Sequence, residues 1–168
     1  VSAFISNTYI KSEFQKLDMY KRIACIETVE EYSDMQDELT DRFGDIPVAA
    51  ENLLRIALLK ADAHKAYITQ IIQKPDGIRF YPYNGLSWNI DGITAMLEEY
   101  QGMLKYVQAD EPYFNYIIGK EDSTKPVTRH YASSAKSGLK KKKLLTTDGI
   151  FHIVESVIKS IGGLYEDK

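Results

Sequence analysis

A chain of 168 residues with 44% hydrophobic content is long enough to bury one core or two small ones, and too apolar for a disordered tail. A formal charge of -3 excludes a uniformly basic nucleic-acid binder, while a single cysteine, Cys25, excludes an intrachain disulfide framework and a multi-cysteine zinc site and fits a reducing cytosol. No apolar run approaches the roughly 20 residues needed to cross a bilayer and no signal-peptide pattern opens the chain, so a cytoplasmic protein without a membrane partner is expected.

From Ile10 to about Glu27, Ile10, Phe14, Leu17, Tyr20 and Ala24 recur at helical spacing and predict an amphipathic helix with those residues inward. Thr28 and Glu31 form a capping-box pair that starts a second helix, with Tyr32, Met35, Leu39 and Phe43 on its inner face. Gly44 stops that helix by accepting the left-handed conformation. Pro47 then leads a third helix from about Val48 to Lys65, with Leu54, Ala57, Leu58 and Ala61 as its stripe.

Beyond residue 66 the texture changes. Tyr67 to Gln73 and Ile78 to Tyr83, rich in β-branched and aromatic residues, flank Pro75-Asp76-Gly77 as a β-hairpin. A helix from about Asp91 to Gln101 follows, and Leu104 to Ala109 and Tyr113 to Ile118 flank Asp110-Glu111-Pro112 as a second hairpin. Residues 119–145 contain a polar, basic, aperiodic stretch that reads as a long loop or mobile connection. Thr147 caps a last helix with Ile150, Val154, Ile158 and Ile161 on one side, ended by Gly162-Gly163. The expected architecture is α+β: a three-helix lobe over 1–66, then a lobe over 67–168 with a mostly antiparallel sheet of two hairpins flanked by helices.

Catalytic patterns are missing. Ser137-Gly138-Leu139-Lys140 lacks both the first glycine and the hydroxyl after the lysine that a phosphate-binding loop needs. His64, His130 and His152 are far apart and stand in no metal-ligand pattern, so they read as structural histidines. Cys25 beside Ile23, Ala24 and Ile26 has an apolar setting that hides a thiol from reaction. No catalytic, cofactor or metal residue is assigned.

Two surfaces remain. The second helix carries Asp34, Asp37, Glu38 and Asp41 away from its apolar stripe, with Arg42 one turn beyond Glu38. Glu38 and Asp41 are helix neighbours that can accept hydrogen bonds from a partner's arginines, although patterning alone favours a solvated face. The other surface is the run Lys140, Lys141, Lys142 and Lys143, with Lys125, Arg129 and Lys136 upstream. It offers duplex DNA phosphate attraction but lacks interleaved aromatics apart from Tyr131, so a solvated loop is the better reading, and an intramolecular role is as open as DNA contact.

Tyr9-Ile10, Tyr20-Lys21-Arg22-Ile23-Ala24 and Glu38-Leu39-Thr40-Asp41-Arg42-Phe43-Gly44-Asp45-Ile46-Pro47 together resemble the C-terminal domain of bacterial transcription-repair coupling factors, the Mfd family. Asn52-Leu53-Leu54 to Leu58-Leu59-Lys60 continues the likeness, which is specific through roughly the first 65 residues. The start at Val1-Ser2-Ala3, without an initiator methionine, fits a piece of a larger polypeptide or a processed chain.

The resemblance implies a non-catalytic regulatory domain of a DNA translocase that displaces stalled RNA polymerase and recruits nucleotide-excision repair. ATP and magnesium would serve the parent's motor, outside this chain. The domain would clamp the parent's UvrB-like N-terminal module and mask its UvrA-binding surface, with Glu38, Asp41 and Arg42 as clamp residues. That implication reverses the preference for a solvated face. An accessory DNA-contacting domain using Lys140 to Lys143 is the alternative.

Overall fold

The computed structural model describes residues 1–85, 87–118 and 146–165. Ser12, whose hydroxyl accepts from the Gln15 amide, starts α1 (Glu13–Ala24) three residues later than the sequence suggests. The inward face of α1 also differs from expectation. Met19 and Ile23 are buried, whereas Phe14 is 83% and Leu17 55% exposed, and Ala24 is exposed as well. Two apolar stripes compete on this helix, and the one continuous with Ile26 is covered because Ile26, with Ile10 and Ile5, joins the same core. Cys25, at the helix end, is exposed rather than hidden.

The second helix follows its signals closely. Thr28 and Glu31 form the full capping box of α2 (Val29–Phe43), which buries Met35 and Leu39. Gly44 closes it at φ 84° and ψ -164°, an extended positive-φ conformation open essentially to glycine alone, rather than the compact left-handed one. The Tyr9 hydroxyl fastens this end by donating to the carbonyls of Leu39 and Gly44, each at 3.1 Å.

Helix α3 (Val48–Lys65) belongs to two cores. Its Leu54 and Ala57 complete the helical core with Met19, Ile23, Met35 and Leu39. One turn on, Leu59, Ala63 and Ala66 enter the core of the second lobe. That core packs Phe80, Phe114 and Leu104 of the sheet against Val157 and Ile161 of α5 (Thr147–Gly162). Thr146, one residue before the expected cap, accepts from the Gly149 amide to start α5.

The sheet has the order β1-β2-β4-β3, antiparallel throughout, from β1 (Ile68–Lys74), β2 (Gly77–Pro82), β3 (Leu104–Val107) and β4 (Tyr113–Ile117). Both hairpins form where their turn residues place them, and α4 (Ile90–Glu99) lies between them in sequence, capped by Asn89. A register shift between Ile68 and Gln70 breaks the alternation of β1, so that Ile68 and Ile71, three residues apart, both meet the core. Gly77 is required by close approach: a methyl group there would sit 2.2 Å from the Tyr116 carbonyl oxygen of β4.

Candidate functional site

The acidic helix face is built by the periodicity of α2. At about 100° per residue, Glu30, Asp34, Asp37 and Asp41 fall on one line of the helix, opposite the buried Met35 and Leu39. All four carboxylates are exposed. Within the described residues Asp34, Asp37 and Asp41 have no ion-pair partner, so this line presents uncompensated negative charge.

Glu38 stands on the shoulder of that line, turned toward α1, and its surroundings are different. Arg22 of α1 sets both terminal nitrogens of its guanidinium on the two Glu38 carboxylate oxygens. Arg42, one turn further along α2, donates to Glu38 Oε1 at 2.7 Å and lies with its guanidinium 4.9 Å from the Phe43 ring centre. The hydrogen bonds from Arg22, and secondarily from Arg42, hold the Glu38 carboxyl down at about 2, against the weaker opposing effect of burial. The same pairing raises the pKa of the Arg22 guanidinium. With side-chain exposures of 42% for Arg22, 39% for Arg42 and 28% for Glu38, the triad is a surface cluster that solvent reaches.

The structure therefore divides the residues expected at this surface. Asp34, Asp37 and Asp41 are outward and unpaired, Arg42 pairs locally, and Glu38 is engaged within the domain. Arg22 was not anticipated, because it lies 16 positions before Glu38 and no local pattern joins residues of two helices. Between α1 and α2 a groove of about 420 Å³ is lined by Lys21, Arg22, Cys25, Asp34 and Glu38 among others.

Other sequence candidates come to less. His64 and His152 are exposed on α3 and α5 rather than lodged in a core, and His130 lies outside the described residues. Among the described residues no group of three histidine, cysteine or acidic side chains is arranged to hold a metal ion. Lys140, Lys141, Lys142 and Lys143, with Ser137-Gly138-Leu139-Lys140, also lie outside the described residues. No helix among the described residues is long and apolar enough to cross a membrane.

Fold and surface together define an α+β module in which a three-helix lobe bearing a charged helix face is joined to a four-stranded antiparallel sheet. The family model described as the TRCF domain matches residues 1–93, and the chain belongs to that family, the C-terminal domain of transcription-repair coupling factors. The transcription-repair-coupling factor of Bacillus subtilis is 39% identical over 92 residues, 55% of this chain and 8% of that protein. That of Staphylococcus aureus strain USA300 is 36% identical over 92 residues, with the same coverage. This chain thus spans less than a tenth of the length of these curated relatives. A crystal structure of the C-terminal domain of transcription-repair coupling factor superposes with a TM-score of 0.61 at 21% identity, covering 96% of this chain and 87% of that one. The superposition extends the common fold through the sheet and α5, beyond the reach of the family model.

Proposed function

We propose that this domain restrains its parent protein by docking the outward line of α2 onto arginines of the parent's UvrB-like N-terminal module, covering the surface that UvrA binds. The observation that carries this reading is the unpaired line Asp34, Asp37 and Asp41, set against the internally satisfied Glu38. Charge that only solubilises a helix can be balanced by neighbours, as Glu38 is; a line left unbalanced on one face is suited to receive cations from outside. The position of the Glu38, Asp41 and Arg42 motif at this same end of α2 supports the reading through the family resemblance.

The energetics suit a releasable clamp. An exposed ion pair contributes roughly 0.2–1 kcal/mol, so three or four acting together favour a closed form by about 2–3 kcal/mol, roughly 30- to 150-fold in population. RNA polymerase and duplex DNA, acting on other parts of the parent, would supply the opposing preference that opens it. ATP and magnesium belong in this reading to the parent's motor.

The test is calorimetric binding of this chain to the separately produced UvrB-like module of its own parent. Asp37→Lys with Asp41→Lys should weaken binding about tenfold or more while leaving helical circular dichroism unchanged, and raised salt should weaken the unsubstituted pair. In the full-length parent the same variant should bind UvrA more tightly. An affinity indifferent to both salt and these substitutions would remove the docking role from α2.

A further inference from the structure

The two edges of the sheet are protected to different degrees. Edge strand β3 has only four residues and carries Lys105 among them, both devices that discourage further pairing. Edge strand β1 has seven residues, and from Ile68 to Gln73 none is charged. It pairs with β2 on one side and, among the described residues, has no strand on the other. Half of its backbone donors and acceptors therefore point away from the sheet unpaired.

A groove of about 860 Å³ runs beside this strand. Ile68, Ile71 and Gln73 of β1 line it together with Ile78 of β2, so it lies under the β1 end of the sheet, on the face that α3 and α5 cover. Its far wall is apolar, formed by Ile56 and Leu59 of α3 and by Ile150 and Phe151 of α5. Tyr67 and Tyr83 stand at the start of β1 and just past the end of β2, 51% and 54% exposed, and Tyr67 is held at φ 53°, a strained conformation for a tyrosine. Among the described residues, Lys60 and His64 lie on the rim and no carboxylate lines the groove.

We infer that the β1 edge and this groove form a docking site for an extended segment of a partner protein, which joins the sheet as a fifth strand, sets alternate apolar side chains against α3 and α5, and brings a carboxylate to Lys60. Each property of the occupant follows from one part of the site. The unpaired edge demands an extended backbone, the apolar wall demands side chains of period two, and the rim demands negative charge. The site lies on the second lobe, makes no use of the carboxylates of α2, and does not depend on the clamp described above.

An amide-resolved NMR titration of the whole chain tests the inference with defined peptides. The probes are an eight-residue peptide alternating threonine and valine and ending in Asp-Glu, its counterpart ending in Lys-Lys, and a form of the first methylated at every second amide nitrogen. The acidic peptide should shift amides of Gln70 to Gln73 and protect those among them that point away from β2, the lysine-ended peptide should bind about tenfold more weakly, and methylation should abolish binding. Lys60→Glu, an exposed change, should reverse the preference between the two ends. Absence of β1 shifts with every peptide, affinity indifferent to end charge, β1 amides on the side away from β2 already protected in the free chain, or protection that grows with chain concentration alone as two copies pair would each overturn it.

Discussion

Arg22 and Glu38 form a two-pronged ion pair that joins α1 to α2 across 16 residues of sequence, and Arg42 completes it from the same helix as Glu38. The pair fixes which carboxylate of α2 is already spent inside the domain and leaves the outward line to Asp34, Asp37 and Asp41. It also makes the stability of the helical lobe depend on pH in a defined direction.

Glu38 ionises at about 2 in the folded chain, against an ordinary value of 4.5. A depressed folded-state pKa contributes stability that is complete above the ordinary value and is lost as pH falls toward 2. Acid unfolding followed from pH 5 to pH 2 should therefore show a loss of stability that is smaller in Arg22→Gln. Carboxyl NMR should place the Glu38 midpoint near 2, and Arg22→Gln should move it upward while leaving it below the ordinary range, because Arg42 still donates. A midpoint unmoved by the substitution would show that the inter-helix pair does not form in solution.

The inward face of α1 is open to an equally direct test. Met19→Ala and Ile23→Ala should each cost about 2–4 kcal/mol in urea unfolding, the usual result of emptying a filled site. Phe14→Ser and Leu17→Ser should each stay within about 0.5 kcal/mol, since both side chains face solvent. The reverse ranking would restore the face that the spacing of apolar residues first suggests.

Gly77→Ala should cost about 2 kcal/mol or more and loosen the pairing of β2 with β4. The added methyl meets a backbone carbonyl oxygen, which cannot move aside as the end of a flexible side chain can. Hydrogen exchange should report the damage first at Ile78 and Tyr116, which face each other across that pair. Wild-type stability in this variant would mean that the strands lie further apart than described.

Elements were legible in the sequence wherever a local signal set their ends. Thr28 with Glu31, Gly44, and Pro75-Asp76-Gly77 each act within a few residues, so they work before any tertiary contact exists. The inward face of α1 was not legible, because two apolar stripes satisfy the same helical period and only the position of Ile26 and Ile10 in the finished core selects between them. Strand order has the same character: nothing within either hairpin specifies that β2 should meet β4 and leave β1 and β3 as edges. For the candidate surface, periodicity alone placed Asp34, Asp37 and Asp41 outward. The separate condition of Glu38 depends on an arginine from another helix and required the assembled lobe.

Helix α3 carries one end in each hydrophobic core, and Arg55 at its middle reaches Asp148 and Glu155 of α5. It works as a shared axle. Neither lobe can come apart without stripping apolar surface from the other, so a load applied at the acidic helix is delivered to the sheet through a rigid rod rather than absorbed by a hinge. A restraint of the kind proposed above, anchored on the helical lobe, would thereby hold the whole module.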